Sequence, residues 1–255
     1  MRRIRVGIPF YQHVYLRPMN LQDLSILAVE TATQVCSAAL ITREKKIHTR
    51  SVVGKGRHAE QLLPFIRELL EEAGVQVKDI GAVAISSGPG SFTGLRVASS
   101  SIRGLIYDTE IPVLSCNTLA GIAAGAIKKY PDAEKVHAVI DARRQHLYYQ
   151  PFLNIEGFPE PGHEVKIMPL DQFEGLIRPG EVIAGTGIER LPEPLVSSVK
   201  KCGIECITAE GLISLVRHWI KKGQPETELI NKVPIGEYQP DYHSEGPPPP
   251  QKPSP

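Results

Sequence analysis

Little in this 255-residue sequence is in excess, and the shortages exclude several kinds of protein. Charge of one sign is missing: 29 Lys and Arg against 28 Asp and Glu leave a net charge of +1. Such a chain has no strong field with which to hold a nucleic acid by itself. Aromatic residues make up 6%, with a single Trp, so base-stacking platforms are poorly supplied. No run of 18 apolar residues exists, and no bilayer-spanning helix is predicted. Cysteine is limited to Cys36, Cys116, Cys202 and Cys206, with no C-x-x-C pair. Cys202 and Cys206 lie close, but no second Cys or His pair completes a zinc set. Each reads as a small core residue, and a reducing compartment fits.

What remains is the composition of a globular protein, 42% hydrophobic and 22% charged. The apolar runs 24–30, 35–41 and 47–53 are joined by short turns and predict an antiparallel meander. From His58 to Ala73, Leu62, Ile66, Leu69, Leu70 and Ala73 recur at helical spacing, and Gly74 stops the helix. Leu63 and Phe65 widen that stripe beyond what one sheet needs, which suggests a second partner surface or covering loops. Strands at 80–87 and 111–116 alternate with helices at 91–107 and 118–130. That order calls for a partly parallel sheet covered by helices.

A second unit opens after Pro131. Residues 135–153 read as two strands turning at Arg143–Arg144, followed by a Gly- and Pro-rich linker at 154–169. A short helix (170–177), a strand (181–185) and a helix (211–223, stopped by Gly223) complete it. The basic residues 1–23 lack an acid until Asp23 and are broken by Pro9. They read as a flexible extension rather than a targeting segment. Residues 244–255 are proline-rich and read as a disordered tail. The domain reading is therefore an extension (1–23), a first lobe (24–130), a second (131–243) and a tail (244–255).

"SSGPGSFTGLR" carries the chemical question. Its glycines and helix start could cradle a phosphate, but the P-loop Lys is missing. Ser91 directly follows Gly90, which is the wrong spacing for a nucleophile elbow. As a packing device, the loop of Gly88, Pro89, Gly90, Ser91, Phe92 and Thr93 reverses the strand, and Ser91 or Thr93 caps the helix. On that helix Gly94, Ala98 and Ser101 share one face. Leu95, Ile102 and Ile106 form an adjacent stripe, with Arg96 and Arg103 opposite the small face. A small face admits close helix approach, either from a neighbouring protein or from the chain itself.

"LAVETAT", "GRHAEQLLP", "SSGPGSFTGLRVA", "IPVLSCNTLAGIAAGA" and "VIDARRQHLYY" occur in this order. Together they resemble the bacterial TsaB (YeaZ-like) family of tRNA threonylcarbamoyladenosine biosynthesis proteins over roughly residues 24–153. The resemblance implies an α/β, two-lobed actin/Hsp70-like (ribonuclease H-like) fold with a reduced second lobe. It implies a cytoplasmic, non-catalytic paralogue of the transferase TsaD that pairs with TsaD, or with its own copy, through the two helices of the first lobe. Here that surface comprises Leu62, Phe65, Ile66, Leu69, Gly94, Leu95, Ala98, Ser101, Ile102 and Leu105, with the motif loop and Arg96 beside it. TsaE, a P-loop ATPase, joins the family's complex, and tRNA is met only through it. No cofactor of the chain's own is implied, and a nucleotide at the TsaD interface stays open. Glu30 and Ala98 depart from the Asp and Gly of most relatives.

Two enzymatic alternatives compete. A metal-dependent, glycoprotease-like hydrolase needs H-x-x-x-H where Ser115 and Leu119 stand. His58 and Glu60, two apart on a helix, point to different faces. An ATP-dependent small-molecule kinase needs Asp-x-Gly-x-Thr where "ETATQ" lacks the Gly, and "AGTGIER" (184–190) is its only other hint. Asp141, Arg143 and Arg144 read either as a polar cluster in the cleft or as a solvated hairpin turn.

Overall fold

The computed structural model describes residues 24–54, 56–173 and 175–222. The expectations for residues 1–23, for Gly223 as a helix stop and for the proline-rich tail lie outside the described residues.

The first sheet has the strand order β3-β2-β1-β4-β5. Strands β1 (Ser25–Glu30), β2 (Val35–Ile41) and β3 (Ile47–Val53) form the predicted meander. Strand β4 (Ile80–Gly88) lies parallel to β1, and β5 (Val113–Asn117) parallel to β4. The two central meander strands are buried along their whole length, which is why β1 and β2 read as unbroken apolar runs. Strand β3 is the edge, and its pattern is mostly exposed.

Helices α1 (His58–Ala73) and α2 (Phe92–Leu105) cover one face of this sheet. Leu62, Ile66 and Leu69 bury their side chains completely, each stabilising the fold by roughly 1.5–3 kcal/mol. Gly74 ends α1 in the left-handed region at φ 65°. Its N–H donates to Glu71 O and that of Val75 to Leu70 O, closing the helix as predicted.

The second sheet repeats the topology. Strands β6 (Lys135–Asp141), β7 (His146–Ile155) and β8 (Phe158–Pro161) form a meander, and β10 (Val182–Ala184) and β11 (Lys200–Cys202) lie parallel beyond β6. Strand β9 (Lys166–Pro169) adds a further pairing to β7. The reduction of this half is visible in its crossovers. Among the described residues, two 3₁₀ segments (Leu170–Phe173 and Thr186–Arg190) and the six-residue helix α4 (Glu193–Ser198) stand where the first half has α1 and α2. The stretch 154–169, expected to be a linker, instead forms β8 and β9; the prolines that suggested a linker sit at strand ends and on outer strands.

The last helix of each half crosses over. Helix α3 (Thr118–Lys129) buries Leu119, Ile122, Ala126 and Ile127 against β6, β7 and β10 of the second sheet. Helix α5 (Ala209–Lys222) buries Leu212, Ile213 and Val216 against the first. The boundary at residue 130 thus follows chain order and not packing. Where α3 meets α5, a side chain on Gly211 would strike Gly121 O at 2.4 Å, and one on Gly121 would strike the Leu212 side chain at 2.7 Å. The close helix crossing that the sequence reading placed on α2 therefore exists elsewhere, inside the chain. Of the two helix glycines in α3, Gly121 faces α5, whereas a side chain on Gly125 would meet Cys206 O at 2.2 Å.

Candidate functional site

The Gly-Pro-Gly loop runs from the end of β4 into α2 and rests on the turn between β1 and β2. Ser91 caps α2, its Oγ accepting from Gly94 N at 3.2 Å. The Ser91 N–H donates to Ala32 O at 2.6 Å, and Thr31 Oγ1 donates to Gly94 O at 2.8 Å. The glycines permit this contact. A side chain on Gly94 would meet Thr31 O at 1.9 Å, and one on Gly90 would meet Ala32 O at 2.2 Å. The loop is thus pressed onto the first hairpin's turn, and the N–H groups of Ser91 and Gly94 are already satisfied. Of the three chemistries weighed for this motif, packing is the one the geometry supports.

Glu30 lies beneath the loop, 2% exposed. Its carboxylate accepts from Ala32 N at 2.6 Å. Burial pushes its pKa up to about 7, against the hydrogen bonds from Ala32 and Ser86 that favour the charge. The same burial, with the Glu30 charge nearby, pushes the Cys36 thiol up to about 11. An acid sealed in this way cannot reach a solvent-borne metal–phosphate, as the kinase alternative would require. Gly185 and Gly187 of "AGTGIER" pack on β6, where a side chain would meet Val139 O at 2.1 Å and the Val139 Cβ at 2.9 Å. His58 opens α1 and is buried, its Nε2 placed 2.9 Å from Thr33 O. Among the described residues no group of three or more His, Cys, Asp and Glu converges.

The expected partner-binding residues divide into two sets. Leu62, Ile66, Leu69, Gly94, Leu95, Ala98 and Ile102 are buried within the chain. Ala98, with no exposure, packs in the core among Val29, Val83 and Ile85. The expectation that Gly94 and Ala98 seat a neighbour's helix is corrected: the small face lets α2 approach its own sheet and hairpin turn. Phe65, Ser101 and Leu105 are half-buried and stay accessible. Leu63, which widens the stripe, Phe92 of the motif loop and Tyr107, which the sequence reading did not place, are 45%, 54% and 71% exposed. Arg96 stacks its guanidinium 4.8 Å from the Phe92 ring centroid. An apolar groove of about 660 Å³ opens between the C-terminal half of α1 and the end of α2, lined by Leu63, Ile66, Leu70, Val75, Val77 and Leu105. The over-wide stripe was the signal for this edge; the size of the groove depends on how α1 and α2 cross.

Asp141 sits in the hairpin turn where Arg143 and Arg144 take positive φ. Its Oδ1 accepts from Arg143 N and pairs with Arg190 Nη1, both at 2.8 Å, and Arg190 also donates to Arg144 O. The cluster stitches the turn to the 3₁₀ segment Thr186–Arg190. No helix of the described residues is long and apolar enough to cross a membrane.

Comparison with known proteins agrees with this architecture. The family described as "TsaD: tRNA N6-adenosine threonylcarbamoyltransferase" matches residues 41–185. The tRNA threonylcarbamoyladenosine biosynthesis protein TsaB of Haemophilus influenzae is 36% identical over 129 residues, 51% of this chain and 54% of that protein. For TsaB of Escherichia coli the match is 34% identical and spans 61% of that protein. The chain thus spans little more than half the length of these two relatives. TsaB of Buchnera aphidicola subsp. Acyrthosiphon pisum is 33% identical over 214 residues, 82% of this chain and 95% of that one. The structure of YeaZ from Pseudomonas aeruginosa superposes with a TM-score of 0.68 at 32% identity, covering 79% of this chain and 94% of that one. With its packed Gly-Pro-Gly loop, its duplicated sheet topology and these relatives, the chain belongs to the TsaB/YeaZ family.

Proposed function

We propose that this protein is a non-catalytic subunit of the machinery that transfers a threonylcarbamoyl group to the adenosine beside the anticodon of tRNAs. The observation that carries this reading is the apolar groove along α1 and α2. Leu63 stands exposed at that groove, and Phe92 at the start of α2 and Tyr107 just past its end are exposed as well, on a chain whose relatives are named for this pathway. Large exposed apolar side chains beside a groove mark an interaction surface. TsaD is the partner, and a second copy of the chain competes for the same edge when TsaD is absent. The TsaE ATPase and the tRNA join through the complex. The balanced charge supports indirect contact with tRNA, since a chain at +1 has little to hold a polyanion. In this reading the chain has no cofactor of its own, and any nucleotide binds at the seam with TsaD. The loop and hairpin turn that would hold a phosphate in a kinase relative are hydrogen-bonded to each other.

Reconstitution from purified components tests the proposal. The chain alone yields no threonylcarbamoyladenosine, whereas its addition to TsaD and TsaE raises the yield at least tenfold. Transfer by the chain alone, or an unchanged yield, would overturn it.

A further inference from the structure

Cys202 ends β11, and Cys206 ends the 3₁₀ turn Ile204–Cys206 that follows it. Both are buried in one core beneath α3, together with Ala123, Ile127 and Ile207. The Cys206 Sγ–H points back along the chain, donating to Cys202 O at 3.1 Å and to Gly203 O at 3.0 Å. The Cys206 sulfur thus lies against the backbone of Cys202 itself. Cys36 and Cys116 sit in two other cores. We infer that Cys202 and Cys206 are a modification site, joined by a reversible intramolecular disulfide when the protein meets a hydroperoxide.

Their surroundings assign the two roles. The neighbouring Cys206 thiol and, more weakly, the Lys129 ammonium lower the Cys202 thiol, against its burial and the Glu205 charge. Lys129 is held there by Glu205 Oε1 at 2.8 Å and Lys201 O at 3.3 Å. Cys206 is pushed up by Cys202 and by burial. Cys202 is therefore the thiolate that attacks, and Cys206 the thiol that resolves. Access comes from the strand itself: β11 has three residues and, among the described residues, lies at the sheet edge and pairs only with β10. Short edge elements open at low free energy.

The chemistry balances. The Cys202 sulfur attacks the outer oxygen of the hydroperoxide, the O–O bond breaks, and the alcohol (water, for hydrogen peroxide) leaves with a proton. Cys202 is then a sulfenic acid. The Cys206 sulfur attacks it, the S–O bond breaks, and water leaves carrying the Cys206 proton. Two thiols lose two electrons, and the peroxide gains them.

The full chain is treated with dilute hydrogen peroxide, unfolded and titrated for thiols. Two of the four thiols are lost, and the tryptic peptide that follows Lys201 and ends at Arg217, which contains only these two cysteines, loses about 2 Da. Dithiothreitol restores both. In Cys206→Ser the reaction stops at a Cys202 sulfenic acid that dimedone traps, while Cys36→Ser behaves as wild type. Should Cys206→Ser not fold, the wild-type peptide mass decides alone. Four surviving thiols, loss at Cys36 or Cys116, or disulfides between chains overturn the inference.

Discussion

The two halves share a strand order and differ in what covers the outer face. The first sheet carries two full helices, α1 and α2, which leave an apolar groove open between them. The second carries only turns and the short α4, and these seal it. Phe173, Ile177, Ile188, Leu191 and Val196 close over Val139, Tyr149 and Ile183. The half with full helices presents an accessible apolar edge; the half with short crossovers is closed over. The inner face of α2 is buried in the fold, and its outer edge stays accessible.

The largest test of that division is Ala98→Trp. It forces an indole into a filled core and costs about 3 kcal/mol or more, read as a drop in the urea midpoint. An unchanged midpoint would place the inner face at the surface after all.

The halves also respond oppositely to pH. The folded pKa of Glu30 is raised from 4.5 to about 7, so the stability it contributes below 4.5 is lost as pH rises through 7. The gap of roughly 2.5 pH units corresponds to about 3 kcal/mol. Glu30→Gln flattens the stability profile between pH 5 and 8; a persisting slope there contradicts the assignment. In the second half His137 is lowered by burial, partly opposed by Glu181 Oε2 at 2.9 Å. Its contribution is present above the ordinary His pKa and is lost as pH falls through the folded one. His137→Gln removes that acid-side loss, measurable as a smaller fall in urea midpoint below pH 6.5.

The smallest effect belongs to Arg190→Gln. It breaks a partly exposed pair with Asp141 and costs about 0.5 kcal/mol by thermal unfolding. A cost of several kcal/mol would make that cluster more than a stitched turn.

Most of the fold could be read from local chemistry. The all-apolar runs of β1 and β2, the 3.6-residue stripe of α1 and its Gly74 stop each point to one structure. The second half was harder: β8, β9 and β11 are three or four residues long and carry little periodicity. For α2, the small residues announce a close approach without saying to what. Only the placement of Thr31 O, 1.9 Å from where a Gly94 side chain would begin, shows that the neighbour is the chain's own turn. The exposed edge was half visible, because Leu63 and Phe65 overfill the stripe, whereas Phe92 and Tyr107 have no sequence signal of exposure.

Calorimetric titration of TsaD into the wild type and into Leu63→Glu tests the central claim most directly. Leu63 is 45% exposed, so the variant keeps its urea midpoint within about 0.5 kcal/mol. The account predicts at least tenfold weaker binding, about 1.4 kcal/mol. Equal affinity of the two proteins for TsaD would contradict it.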